Sequence, residues 1–256
     1  MYDAQHNPVC VNLDECDVLT KDTDRETVIK NIMINVYESL VHNIAIQVLA
    51  TGVLPSEFSD HVKGRVVGYV AFNDTESVFE GLYGLSAAAH IVSVNIRNIV
   101  ADIALDGTGL VAIYVDVLTN VSDFGLLNLT AMGYWKLDIN NKIVGFDFVE
   151  LRLGEAEDPI AALAASALKD QICQIHGAFC TGANQQFANF TVCRSFMDTI
   201  PFGSFNNAAS VSVVCKIVHM LLVPFRPAIH CPHIGPTGGN ACLNFPYTDF
   251  YTQTFV

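Results

Sequence analysis

Eight cysteines divide this chain more sharply than any other feature. Cys10 and Cys16 stand near the start, Cys173, Cys180, Cys193, Cys215, Cys231 and Cys242 fall in the last third, and none lies between Cys16 and Cys173. An even count clustered in turn-rich sequence reads as a disulfide framework made in an oxidising compartment. The last third is therefore expected to be stapled, while the middle must fold on its hydrophobic pattern alone; spacing leaves the pairing open. Four N-x-[ST] sequons, at Asn73, Asn120, Asn128 and Asn189, join the cysteines in pointing to a secreted glycoprotein. Residues 1–8 hold neither a basic stretch nor an apolar one, so no signal peptide is visible and Met1 is expected to precede a mature chain.

Charge and hydropathy narrow the partners. Lys and Arg number 13 against 26 Asp and Glu, a net charge of −13. Phosphate binding needs a clustered basic surface, so neither nucleic acid nor an anionic membrane is an expected partner. With 51% hydrophobic residues the chain is far from the composition of disorder. Yet no run approaches the roughly 18 apolar residues of a membrane span; residues 211–225 come nearest and carry Lys216 and His219.

Along the chain, residues 1–22 are acidic, with Asp14, Glu15, Asp17 and Asp22 around Cys16, and are expected to form an arm held by disulfide. They lack the graded carboxylates and Gly turn of a calcium loop. Thr23-Asp-Arg-Glu26 has the capping-box pattern, and Ile29, Ile32, Met33, Val36, Tyr37, Leu40 and Ile44 recur at helical spacing, predicting one amphipathic helix. Residues 64–72 read as a first strand and 77–88 as a second helix. Four longer runs follow, 91–104, 110–119, 126–137 and 142–153, separated by Gly, Asn and Asp turns that predict an antiparallel meander. Helices followed by a meander make an α+β fold. From Asp158-Pro159 the composition changes. Asp158 reads as the N-cap of an Ala-rich helix to about residue 176, with helices at about 190–199 and 207–222 and an irregular tail from 226 pinned by Cys231 and Cys242. The division is an arm (1–22), an α+β domain (23–154) and a helical, cysteine-rich extension (155–256).

The meander's end, Ala131-Met-Gly-Tyr-Trp-Lys-Leu-Asp138 and Asn141-Lys-Ile-Val-Gly-Phe-Asp-Phe148, resembles the SnoaL-like branch of the NTF2-like superfamily over residues 24–153. The segments 214–227 and 230–242 resemble a cysteine-rich extension of secreted fungal proteins that carry an N-terminal SnoaL-like domain. The resemblance implies a cone of curved sheet closed by helices, a superfold that hosts isomerases, cyclases, dehydratases and binding modules, so it does not fix a function.

It also implies a role for Asp147, the acid of the last strand, as general base in the cone, paired with a proton donor drawn from Tyr37, Tyr83, His90, Tyr114 or Asp116; a buried structural Asp is the alternative. If Asn128 carries a glycan and faces out, strand alternation turns Leu129, Ala131, Gly133, Trp135 and Leu137 inward and makes Trp135 a pocket wall. Tyr37, Tyr83, His90, Trp135 and Asp147 are thus the candidate ligand-binding residues. No metal site is expected. His219, His230 and His233, with Cys231 between, suggest zinc by type, but His230-Cys-Pro-His233 is too short a spacing for the familiar pairs and a structural histidine cluster is expected instead; Gly235-Pro-Thr-Gly-Gly239 lacks the Lys-Ser/Thr of a phosphate loop. The preferred function is binding a small apolar or aromatic molecule, such as a secondary metabolite or pigment, in the cone, with no other cofactor. The rivals are a SnoaL-like enzyme using Asp147 and an interaction protein whose cone is filled by side chains. Pairing through the outer sheet face makes a homodimer a candidate assembly.

Overall fold

The structure, a computed structural model, describes residues 23–67, 70–104, 107–121, 125–151 and 153–244. Cys10, Cys16 and the acidic arm lie outside them. Among the described residues six strands form one mixed sheet: β1 (Phe58–Val66), β2 (Val70–Phe72), β3 (Ile91–Ile103), β4 (Gly109–Val121), β5 (Gly125–Leu137) and β6 (Ile143–Leu151), in the order β2-β1-β6-β5-β4-β3. The meander β3 to β6 is antiparallel throughout, as its turn residues predict, while β1 runs parallel to β6. Residues 64–72, read as one strand, are instead the end of β1 and its antiparallel return β2, with Gly64 opposite Phe72.

Two helices come first: α1 (Thr23–Ser39), which packs on β3 and β4, and α2 (His42–Thr51). The sequence predicted one helix to Ile44, but the two axes meet at 92°. Val41 takes an extended conformation and begins α2 afresh. Leu40 and Ala45 then reach the same core from two directions, while Ile44 turns out to 42% exposure. Asp74 caps the next helix, its carboxylate accepting from the Ser77 amide at 2.7 Å. That helix runs as α3 (Thr75–Phe79), a π turn (Glu80–Gly84) and α4 (Leu85–Ala88). Ile29, Met33, Val62, Val111, Trp135, Leu137, Ile143 and Phe146 are buried in one hydrophobic core between helices and sheet.

The remaining helices are α5 (Leu153–Leu163), α6 (Ala165–Phe179), α7 (Phe190–Thr199), α8 (Val213–Met220) and α9 (Pro227–Ile234). They enclose a second core around Leu153, Ile172, Met197, Val213, Val214 and Ile234. Three disulfides staple it: Cys173–Cys193, Cys180–Cys231 and Cys215–Cys242. The predicted α+β cone with a disulfide-rich helical extension is thus what the chain forms.

Three local expectations of the extension are corrected. Asp158 does not start a helix; it lies within α5, and its carboxylate accepts from the Phe205 amide at 2.9 Å. The helix predicted over 207–222 begins later, at Val213, because Ser212 is its N-cap, accepting from the Cys215 amide at 3.2 Å. The tail from 226 is not wholly irregular, since Pro227 opens α9 at a position where its missing N–H costs nothing.

Candidate functional site

A cavity of about 390 Å³ opens where the cone meets the extension. The sheet contributes Val115, Val117 and Thr119 from β4, Leu129, Ala131 and Trp135 from β5, and Phe148 and Glu150 from β6; α1 adds Tyr37 and Leu40. The extension closes the far side with Glu157, Ile160, Ala161 and Ala164 of α5, Leu168, and Ile217, Val218 and Leu221.

Strand alternation decides who reaches this space. On β5 the inward face is the predicted one: Trp135 is 1% exposed, while Met132 and Tyr134 on the other face are 42% and 46% exposed. Trp135 Nε1 donates to the Tyr37 hydroxyl at 3.3 Å, and the two rings meet edge to face. Burial raises the Tyr37 pKa far above the ordinary tyrosine value, so its hydroxyl stays a neutral hydrogen-bonding group. His90 also lines the cavity and stacks on His42, with centroids 3.9 Å apart. It holds φ at 49°, a left-handed conformation that fixes the turn into β3.

Tyr83 is not in the wall. Its hydroxyl shares a hydrogen bond with Ser39 at 2.9 Å, its ring packs on Phe58 and Phe79, and burial pushes its pKa up to about 12. Asp147 lies on the opposite face of β6 from Phe148 and Glu150, where Arg65 Nε donates to its carboxylate at 3.0 Å and a second guanidinium nitrogen completes a bidentate pair. The expectation that Asp147 faces the pocket is therefore corrected: the strand's pleat presents its even-numbered residues to the cavity. Tyr114 and Asp116 share that outer face. Asp116 pairs with Arg97 and accepts from Thr130 Oγ1 at 2.9 Å, and Arg97 lies over the Tyr114 ring.

The acids that do line the cavity escaped the sequence reading. They are Glu150 of β6 and Glu157 of α5. Burial pushes the Glu150 carboxyl up to about 7, and Glu157 rises equally to about 7 through burial, then through repulsion from Glu150 and Asp158. Both keep part of their surface open to the cavity. Near neutrality each can donate or accept a proton or a hydrogen bond. Extending the alternation by one step past Phe148 would have found Glu150; Glu157 is brought in only by the turn from β6 into α5.

Two comparisons place the chain. A family model described as the BfoA family C-terminal domain matches residues 144–245. The "Bifonsecin B biosynthesis cluster protein A" of Aspergillus brasiliensis is 34% identical over 207 residues, covering 73% of this chain and 70% of that protein. The chain belongs to the BfoA family. Another relative, the "Aurasperone B biosynthesis cluster protein A" of Aspergillus niger, is 33% identical over the same length, 73% of this chain and 68% of that protein. The family-model match runs from β6 through the stapled extension, so it includes Glu150, Glu157 and all six described cysteines. Solved structures similar to the cone include the epoxide hydrolase/cyclase-like enzyme SalBIII, 14% identical at a TM-score of 0.37 over 49% of this chain and 92% of that one. An NTF2-like protein with a cystatin-like fold from Novosphingobium aromaticivorans is 10% identical at a TM-score of 0.40, over 56% of this chain and 92% of that one.

Proposed function

We propose that this BfoA-family chain is a secreted protein that holds a small, largely apolar or aromatic molecule in the cavity. The observation that carries this reading is a cavity of about 390 Å³ walled largely by aliphatic and aromatic side chains, with two carboxyls in its lining. Such a wall rewards an apolar body, and a few polar groups orient it. Glu150 and Glu157, held protonated below about pH 7, offer hydrogen bonds to a hydroxyl or carbonyl without placing a full charge beside the ligand. The relatives' names tie them to biosynthetic clusters for bifonsecin B and aurasperone B, which supports a cluster metabolite as the occupant here. Three disulfides and four exposed sequons support secretion.

Trp135 is the only tryptophan and stands in the cavity wall, so its fluorescence reads occupancy directly. Titration with the neutral apolar probe N-phenyl-1-naphthylamine is expected to quench it saturably at one equivalent. Ala131→Phe, which fills the wall beside it, should weaken binding at least tenfold with an unchanged far-UV spectrum. Quenching that never saturates, or that ignores Ala131→Phe, sinks the reading. Absorbance and native mass of protein from its source would show a retained ligand.

The enzymatic alternative, an isomerase, cyclase or dehydratase, is favoured by one observation: two cavity carboxyls whose pKa values lie near 7. In that reading Glu150 and Glu157 take the role that the SnoaL-like resemblance implied for Asp147. Turnover should then survive Asp147→Asn and be lost in Glu150→Gln; the reverse pattern removes it.

A homodimer through the outer sheet face is supported by Val100, Leu110, Met132 and Tyr134, exposed at 53%, 41%, 42% and 46%. Light scattering at micromolar concentration should give twice the chain mass for the native protein and the single-chain mass for Met132→Glu. A monomeric native protein ends the proposal.

A further inference from the structure

The three histidines grouped in the sequence around Cys231 do meet in the extension. His230 and His233 are three residues apart on α9, hence on one helix face, and His219 comes from the last turn of α8. His219 Nδ1 lies 3.3 Å from His230 Nδ1 and 3.3 Å from His233 Nδ1. One ligand atom from each of the three lies within 4.8 Å of the others. Cys231, which stood between them in sequence, is removed as a ligand by its disulfide to Cys180.

Hydrogen bonding alone satisfies this arrangement poorly. A ring nitrogen carries either one hydrogen or one lone pair, so His219 Nδ1 cannot donate to one neighbour while accepting from the other. The third member is constrained from outside: His230 Nε2 lies 3.0 Å from Glu80 Oε2, both side chains being buried, and in the neutral ring the proton sits on Nε2 facing the carboxylate. That tautomer leaves the His230 Nδ1 lone pair aimed into the cluster. Glu80 is itself fixed by the Arg226 guanidinium at 2.8 Å and belongs to the π turn, a feature often found at functional sites. On the other side Gly239, with φ at +55°, lies so close that a Cβ there would be 2.5 Å from His233 Cδ2, which holds that ring in place.

We propose that His219, His230 and His233 bind one divalent zinc-class cation through their Nδ1 atoms, with Glu80 as the carboxylate that orients His230. Zinc–nitrogen bonds of about 2.0–2.1 Å in a tetrahedron separate neighbouring ligand nitrogens by about 3.3–3.4 Å, the spacing that His219 Nδ1 keeps from both His230 Nδ1 and His233 Nδ1, while the third pair lies within 4.8 Å. A histidine whose remote nitrogen is tied to a carboxylate is the usual outer partner of such a ligand. Neutral imidazoles suit zinc and its neighbours rather than calcium or magnesium. Three protein ligands leave the fourth position to water. Lys216 stays outside the ligand set, its ammonium donating to the carbonyls of His233 and Gly235 at 2.7 and 2.8 Å. His219 and His233 keep some exposure, so an ion can enter. The site would join α8, α9 and, through Glu80, the cone, and it does not depend on what occupies the cavity.

The test is calorimetric titration of tag-free, chelator-stripped full chain with Zn²⁺ alone at pH 7.5. One equivalent should bind with micromolar or tighter affinity. His219→Ala with His233→Ala should cost at least 100-fold, and Glu80→Gln, which keeps all three ligands, about 10–100-fold. Far-UV spectra and a free-thiol assay verify that each variant folds. Co²⁺ in place of Zn²⁺ should give the intense visible bands of tetrahedral coordination in the native protein, a readout that needs no variant. Absence of saturable binding at one equivalent, weak octahedral Co²⁺ bands, or unchanged affinity in the folded double variant would each overturn the proposal.

Discussion

Replacing Cys180 and Cys231 together by alanine is expected to lower the stability of the extension by about 4 kcal/mol, the loop-closure value for a cross-link of this length. The two residues are 51 apart in sequence, by far the longest loop among the described disulfides, against 20 for Cys173–Cys193 and 27 for Cys215–Cys242. A longer closed loop removes more freedom from the unfolded chain. This bridge also ties α9 to the end of α6, so it holds the helix that carries His230 and His233. The midpoint of the extension's unfolding transition should fall by roughly 16–32 °C, the range for a cooperative unit of about 100 residues, read by calorimetry beside the native protein. Because cone and extension have separate cores, the lost stability should show in the transition that loses the extension's helical signal, while Trp135 fluorescence reports the cone. A loss below about 1 kcal/mol would show that the denatured chain keeps those ends together without the bond, and the chain-entropy account would fail.

What the sequence made legible follows from local chemistry. The meander could be read because Gly, Asn and Asp at the junctions force tight turns, and because the pleat sorts Trp135 from Tyr134 without further information. The stapled extension could be read from cysteine density. The π turn at Glu80–Gly84 and the parallel pairing of β1 with β6 are set by contacts far away in sequence. The break between α1 and α2 was hidden because Ile44 continues the apolar period of α1 in sequence, although on α2 it turns outward and Ala45 is the residue buried.

The site was half legible for the same reason. Strand alternation turned Trp135 inward, and Tyr37 and His90, candidates on the family resemblance, line the same cavity. Asp147 was drawn to the pocket by family resemblance, although one step of alternation separates it from Phe148, and an arginine from a neighbouring strand was waiting on its own side of the sheet. The three histidines were grouped by the sequence but their geometry was not, because the α9 face that unites His230 with His233 belongs to a tail whose prolines read as helix breakers. Pro227 instead begins that helix.

Glu150→Gln is expected to stabilise the protein at pH 8 and to leave it unchanged at pH 4. The Glu150 carboxyl stands at about 7 in the folded chain against an ordinary 4.5. Below 4.5 it is protonated in both states and contributes nothing to the pH dependence. Between 4.5 and 7 the unfolded chain releases the proton while the folded chain keeps it, so stability falls by about 1.4 kcal/mol per pH unit. Above 7 both states are ionised and the full penalty remains. That penalty would be about 3 kcal/mol for a carboxyl sealed in protein, and about 2 kcal/mol once water in the cavity shares the charge. Glutamine has the same shape and no proton to lose, so the variant's stability should be nearly flat where the native curve descends. Glu157 adds its own fall over the same window, and Glu150→Gln also relieves it, because repulsion from Glu150 is part of what raises it. Denaturation midpoints at pH 4, 6 and 8 in both proteins decide the matter. Parallel curves would mean that Glu150 is already ionised in a well-hydrated cavity, which would also count against a mainly apolar occupant. Divergence above pH 5 would establish a dry, acid-bearing pocket, and a ligand that displaces the remaining water should widen it.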